Sequence, residues 1–139
     1  MIIVSACLAG VACRYNGNAF PIPAIIAMFQ KGTALPVCPE MLAGLPAPRP
    51  PAELRNGRVL SNSGEDVTEE FLLGAKMGLA IALAARCRKA IVKAKSPTCG
   101  SGSIYDGTFS GKVIPGDGVF SKLLKEYGIE VITEEDLED

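Results

Sequence analysis

Three short apolar runs in this chain each lead into a cysteine. The runs are residues 2–4, 34–37 and 90–92, and the cysteines are Cys7, Cys38 and Cys99. Compact, β-branched runs of this kind are typical of buried parallel strands. Ligands bind beyond the carboxyl ends of the strands in open α/β sheets, where neighbouring strands lie about 5 Å apart. The pattern therefore predicts that the three thiols meet at one site.

Helical patterns separate the apolar runs. We expect helices over residues 22–31, from Asp66 to about Arg88, and over residues 118–127, with a fourth strand over 129–132. Glu69, three residues after Asp66, completes a capping-box pattern at the start of the long helix. Strands that alternate with helices indicate a three-layer, Rossmann-like α/β domain with a mostly parallel sheet of about four strands. At 139 residues, the chain fits a single domain over 1–139.

The middle of the chain is rich in proline. Five of the thirteen residues over 39–51 are proline, which predicts neither helix nor central strand but a stiff loop that lines a pocket. An Asn-Gly pair at 56–57 predicts a small β-hairpin over 52–60, outside the main sheet. We further expect a glycine-rich loop up to residue 117 and an acidic tail that frays from Glu134.

Composition excludes several classes of function. The chain has no histidine, which excludes Ser-His-Asp triads, Cys-His pairs and zinc sites that contain histidine. Five cysteines, an odd number, argue against a secreted disulfide framework. A pI near 5.5 disfavours stable binding to duplex nucleic acid. The sequence shows no basic leader and no apolar run of membrane-spanning length, so we expect a cytoplasmic protein with no membrane partner.

The cysteines leave several site chemistries open. Cys87 reads as a small buried hydrophobe. Three thiolates suit zinc with a fourth ligand, Cys13 or Glu40, or a 4Fe–4S cluster that keeps one iron open to substrate. A thiol-dependent enzyme acting on an anion is a weaker alternative. The stretch from Cys7 to Arg14 is similar to a phosphate-cradling loop, although it is one residue too long.

Two polar residues stand beside the predicted thiol site. Glu40 follows Cys38 by two residues and so faces the same pocket, or it is an ordinary exposed loop carboxylate. Ser96 precedes Cys99 by three residues, and it either faces the pocket or is a turn residue that binds its own backbone.

Six motifs are spread over nearly the whole chain: SACLAG at 5–10, CRYNG at 13–17, CPE at 38–40, GLPAPRP at 44–50, SPTCG at 96–100 and IYDGTF at 104–109. Together they resemble a small bacterial domain family of long-unassigned function that includes thiouracil desulfurase. Ala9 and Asn16 depart from the pattern of that family, where leucine and aspartate are expected.

The resemblance implies a cofactor and a reaction. It implies a 4Fe–4S cluster with one open iron, held by three cysteines that correspond to Cys7, Cys38 and Cys99, with Cys13 outside the ligand set. It also implies an enzyme that removes sulfur from a thiolated base or nucleoside without redox change, converting thiouracil to uracil and sulfide. Glu40 would activate the attacking water, and Ser96 would relay a proton or bind the substrate. A zinc or iron–sulfur binding module without turnover is the alternative.

Overall fold

The computed structural model of the protein describes residues 1–137. Within this range the main elements are β1 (Ile2–Ser5), α1 (Pro23–Gln30), β2 (Ala34–Val37), α2 (Pro39–Leu42), β3 (Ala52–Arg55), β4 (Arg58–Ser61), α3 (Thr68–Ala84), β5 (Lys89–Val92), β6 (Ser103–Tyr105), β7 (Val113–Pro115), α4 (Val119–Glu126) and β8 (Glu130–Thr133). Short 3₁₀ helices occupy Ala6–Ala9 and Glu134–Asp136. No helix among the described residues is both long and apolar enough to cross a membrane.

A four-stranded sheet forms the centre of the fold. Its strands lie in the order β2-β1-β5-β8, and every neighbouring pair is parallel. The predicted α/β fold is thereby confirmed. The strand order reverses direction between β1 and β5, which makes the carboxyl ends of these two strands the switch point where such sheets bind ligands.

Helices cover both faces of the sheet. Successive residues of a strand point to opposite faces; accordingly, Ile3 packs with Leu79 of α3 and Phe120 of α4, whereas Val4 packs with Ile25 of α1. All five side chains are buried. This alternation produces the three predicted layers, with the sheet packed between helices on both faces.

The two small hairpins lie outside this sheet. Strands β3 and β4 pair around residues 56–57, as the Asn-Gly signal predicts. The expected glycine-rich loop is wrong in part, because residues 103–105 and 113–115 pair as a second antiparallel hairpin. The predicted stiff loop over 39–51 is also wrong at its start. Pro39 occupies the first turn of α2, where a missing N–H costs nothing.

The long helix α3 begins and ends inside its predicted bounds. It begins at Thr68 with Val67 as the N-cap residue, and it has no side-chain cap, so the predicted capping box is wrong. Asp66 instead accepts hydrogen bonds from the N–H and hydroxyl of Thr68 and from the guanidinium of Arg58. The helix ends before Arg86, whose positive φ of 56° is incompatible with a further turn.

The acidic tail is more ordered than the sequence predicts. Residues 134–136 form a 3₁₀ helix with a capping box between Thr133 and Asp136. The side chain of Glu134 is 7% exposed and accepts a hydrogen bond from Nζ of Lys93 at 2.9 Å. The prediction of fraying is therefore wrong for this turn, and residues 138–139 lie outside the described residues.

Asp66 gives the fold an acid-dependent contact. The hydroxyl of Thr68 first, then its N–H and Arg58, lower the pKa of Asp66 from 3.8 to about 2. Because the folded-state pKa is depressed, the stabilisation is present above pH 3.8 and is lost as the pH falls towards 2. We expect Asp66→Asn to flatten this part of the pH dependence of stability, as measured by urea unfolding at a series of pH values. An unchanged slope in the variant would contradict this expectation.

Candidate active site

A cavity of about 420 Å³ opens at the carboxyl edge of the sheet. Four thiols line it: Cys7, Cys13, Cys38 and Cys99. The structure thus brings together the three cysteines predicted from the strand ends, and it adds Cys13 to them. Cys87, by contrast, is 5% exposed and packs in the hydrophobic core, in agreement with its sequence interpretation.

Three of the four cavity cysteines are each placed by a backbone turn that follows a different strand. Cys7 lies in the 3₁₀ helix directly after β1, which Gly10 closes with a φ of 97°. Cys38 is the N-cap residue of α2, directly after β2. Cys99 lies in the turn that follows β5, where the N–H of Gly100 donates to the carbonyl of Ser96. Three different strand ends therefore supply the thiols.

The thiols interact with one another. The thiol of Cys38 donates to the backbone carbonyl of Cys13 at 3.8 Å. Interaction with Cys38 lowers the pKa of the Cys13 thiol, but interaction with Cys7 and burial outweigh this and raise the pKa to about 11. The hydrogen bond with Cys13, and then burial, raise the pKa of Cys38. Burial is the main cause that raises the pKa of Cys99. The raised pKa values disfavour the thiolate form of Cys13, Cys38 and Cys99 when no metal is bound.

The potential metal ligands that line the cavity include four soft thiols. Over residues 1–137, no group of three or more His, Cys, Asp or Glu side chains converges as a site for one metal ion. A structural zinc needs four ligands around one point. The thiolates of a 4Fe–4S cluster bind different iron atoms, so they surround the cluster rather than converge. The four thiols that line the cavity are soft ligands of the kind that such a cluster takes.

Glu40 lies in the first turn of α2 and lines the cavity. Its Oε1 accepts a hydrogen bond from Nε of Arg49 at 3.0 Å, and its Oε2 accepts one from the hydroxyl of Thr98 at 2.9 Å. The side chains of Glu40 and Arg49 are only 16% and 7% exposed. Glu40 is therefore a held carboxylate inside the pocket, and the exposed-loop interpretation is wrong.

Ser96 is both a turn residue that binds its own backbone and a residue that faces the pocket, the two roles that the sequence left open. Its hydroxyl oxygen accepts hydrogen bonds from the N–H groups of Thr98 and Cys99, each at 3.0 Å, so it stabilises the turn that carries the third cysteine. Ser96 also lines the cavity. The two bonds use the acceptor capacity of the oxygen and leave the O–H proton as a donor.

Two glycines let neighbouring elements approach the site closely. A Cβ on Gly74 of α3 would lie 2.0 Å from the carbonyl oxygen of Pro39, next to Glu40. A Cβ on Gly118, the N-cap residue of α4, would lie 2.5 Å from the carbonyl of Thr98. Because the two helices pack closely on these backbones, α3 limits the movement of residue 39 and α4 limits that of residue 98.

Comparison with protein families shows which family the chain belongs to. The family model described as 2-thiouracil desulfurase matches residues 2–136. This chain belongs to the 2-thiouracil desulfurase family. The resemblance predicted from the six motifs is thereby confirmed, as is the expectation of an enzyme rather than a passive module.

Two relatives of this desulfurase family illustrate the match. The uncharacterized protein YbbK of Bacillus subtilis (strain 168) is 44% identical over 149 aligned positions, which cover 100% of this chain and 99% of YbbK. A solved structure of a 4Fe–4S-dependent thiouracil desulfidase, TudS, is 46% identical, with a TM-score of 0.93, over 98% of this chain and 91% of that one.

Sequence reasoning missed part of the candidate site. The sequence gives Thr98 no role and places Arg49 only within the proline-rich loop over 39–51 that is expected to line a pocket, although both residues bind Glu40. The rim also includes Lys93, whose Nζ lies 4.5 Å from the centre of the Phe20 ring. Both Arg49 and Thr98 fall inside the recognised motifs, which is the one signal that could have drawn attention to them.

Proposed function

We propose that this protein hydrolyses the thiocarbonyl group of a thiolated pyrimidine, converting thiouracil to uracil and sulfide without redox change. The observation that carries the proposal is that thiols from three strand ends share one cavity with the held carboxylate of Glu40. Family membership and the similarity to a 4Fe–4S-dependent thiouracil desulfidase support it.

In this proposal Cys7, Cys38 and Cys99 hold a 4Fe–4S cluster, and Cys13 stays outside the ligand set. When bound, the cluster supplies a Lewis-acidic iron without a protein thiolate, suited to the soft sulfur of a thiocarbonyl group. The protons of the three thiols leave when the site is loaded, because only thiolates ligate iron.

Glu40 and Ser96 act on the water and the substrate. Each oxygen of the Glu40 carboxylate receives one hydrogen bond from the protein, so a lone pair on each remains to accept a proton from water. The water oxygen forms a bond to the thiocarbonyl carbon, the carbon–sulfur bond breaks, and sulfide leaves with the protons released by the water. The O–H of Ser96 donates to the substrate or relays one of those protons.

The cavity also fits a flat heterocycle. Its volume of about 420 Å³ falls within the usual range of small-molecule sites. Tyr15, Phe20 and Tyr105 contribute aromatic surface to its lining, against which a pyrimidine ring packs favourably. We infer that a thiolated base or nucleoside is the substrate class.

Anaerobic reconstitution tests the proposal. We expect a brown protein that contains about four irons per chain and that releases equal amounts of sulfide and uracil from thiouracil. Iron and acid-labile sulfide are measured by colorimetry, and uracil by chromatography. A colourless protein with one zinc per chain and no sulfide release would support the binding module instead.

Substitutions at Glu40 and Ser96 test their roles. We expect Glu40→Gln to lower kcat by about 10²–10⁴-fold, the usual contribution of a general base, with an unchanged iron content. Ser96→Ala is expected to lower kcat as well, with iron content as the check on the turn that carries Cys99. Glu53→Gln is the matched control, because Glu53 lines the same cavity but accepts hydrogen bonds from backbone N–H groups at Gly107 and Phe109. Unchanged kcat in both test variants would contradict the assignments.

A further inference from the structure

We propose that Thr98 and Arg49 are positioning residues, which act on the reaction by holding the carboxylate of Glu40 in one orientation. The inference rests on the proposed role of Glu40 as the base. It adds two residues to the site, neither of which needs to touch the substrate.

The two oxygens of Glu40 are held from different directions. Thr98 is fully buried, and its hydroxyl donates to Oε2 at 2.9 Å. Arg49, with its side chain 7% exposed, donates from Nε to Oε1 at 3.0 Å. Two donors on two oxygens fix both the rotation of the carboxylate and its distance from the cavity wall. Charge-assisted hydrogen bonds of this kind are among the strongest in proteins.

Both donors are themselves fixed by the surrounding backbone. The N–H of Thr98 donates to Ser96, and its carbonyl accepts from the N–H of Phe120 at 2.8 Å. Thr98 also precedes Cys99 directly, so the hydroxyl links Glu40 to the turn that carries the third thiol. Glu40 comes from the end of β2 and Cys99 from beyond β5. The hydrogen bond between residues 40 and 98 therefore fixes the position of the proposed base relative to the turn that carries Cys99.

Arg49 provides the second link. Its Nη1 donates to the carbonyl of Pro46 at 3.0 Å, and its Nη2 donates to the carbonyl of Cys13 at 2.9 Å. The planar guanidinium fork reaches Glu40, the proline-rich loop and the Cys13 loop at once, which a lysine ammonium on a flexible stem cannot do. The proline-rich loop thus contributes to the site through one side chain.

The test compares three threonine variants of the anaerobically reconstituted protein. Thr98→Val removes the hydroxyl and keeps the branched shape, and we expect kcat to fall about ten- to hundredfold, as for loss of a hydrogen bond to a charged group. KM, iron content and visible absorption are expected to stay within twofold of the parent protein. Thr98→Ser restores the hydroxyl and is expected to restore most of kcat. Thr33→Val is the control, because Thr33 is exposed and precedes β2 at the opposite edge of the sheet.

A double-mutant cycle separates positioning from a general structural effect. In a Glu40→Gln background, Thr98→Val is expected to cost little further, because residues that act through one another are not additive. A fall in kcat by the same factor in both backgrounds overturns the proposal. Arg49→Lys provides a second variant should Thr98→Val fail to fold, and the same fall in kcat is expected.

A crystal structure of Thr98→Val gives a readout that does not depend on activity. We expect the Glu40 carboxylate to leave its present position, and a carboxylate that stays there overturns the positioning role. This result also distinguishes the two proposals. If Glu40→Gln keeps full activity, the base assignment fails, whereas the placement of the carboxylate in Thr98→Val still decides whether Thr98 holds it.

Discussion

Alanine at Cys7, Cys38 or Cys99 is expected to remove most of the bound iron and to abolish sulfide release. In the proposed site three thiolates are the whole protein ligand set, so the loss of one leaves two, whereas 4Fe–4S clusters normally have four cysteine ligands. Cys87→Ala is the matched control. Cys87 precedes β5 and packs in the core, away from the carboxyl edge of the sheet, so its replacement should leave iron content and activity near those of the parent protein.

Cys13→Ala is the variant that discriminates between ligand sets. Cys13 lines the same cavity as Cys7, Cys38 and Cys99, so proximity alone does not separate it from the proposed ligands. With the proposed ligand set, Cys13→Ala keeps its iron and most of its activity. Iron and acid-labile sulfide per chain, together with visible absorption, measure the outcome for all five cysteines. A Cys13→Ala protein without iron, beside a Cys99→Ala protein with full iron, would contradict the proposed set.

The arrangement of the strand-end cysteines was predictable because the short apolar runs and the cysteines that come after them in the sequence can be combined with one topological rule. Short β-branched runs predict buried strands, and the ligand site of an open parallel sheet lies beyond its carboxyl ends. Cys7 lies two residues after the end of β1, Cys38 directly follows β2, and these strands are neighbours in the sheet. No contact between distant side chains had to be known for this prediction.

The remainder of the site depends on contacts that have no local signature. Thr98 and Glu40 are 58 positions apart, and their hydrogen bond exists only because β5 and β2 flank β1. Arg49 reaches Cys13 across 36 positions for a similar reason. In the sequence, a threonine and an arginine in loops have many equally plausible partners. The order of the tail has the same origin, since Glu134 is held by Lys93, 41 positions away.

For Gly74→Ala, helix propensity and packing predict opposite changes in the stability of the protein. Alanine is the better helix former, so propensity alone predicts that Gly74→Ala stabilises α3 by about 1 kcal/mol. The structure predicts the opposite, because the added Cβ would lie 2.0 Å from the carbonyl oxygen of Pro39. Backbone cannot rotate away as a side chain can. We expect overpacking to cost about 1–3 kcal/mol in the free energy of unfolding, measured by urea denaturation.

Because the clash occurs at residue 39, we expect Gly74→Ala to affect the proposed active site as well as stability. Pro39 lies between Cys38 and Glu40, so relief of the clash moves a proposed ligand and the proposed base together. We therefore expect both iron content and kcat to fall in the folded variant. Gly78→Ala, one turn further along α3, is the control: its Cβ meets the side-chain ring of Phe120 at 2.7 Å and not the backbone of residues 38–40. That variant should lose stability but keep its activity per folded molecule. A Gly74→Ala protein that is more stable than the parent and fully active would show that α3 does not set the position of residues 38–40.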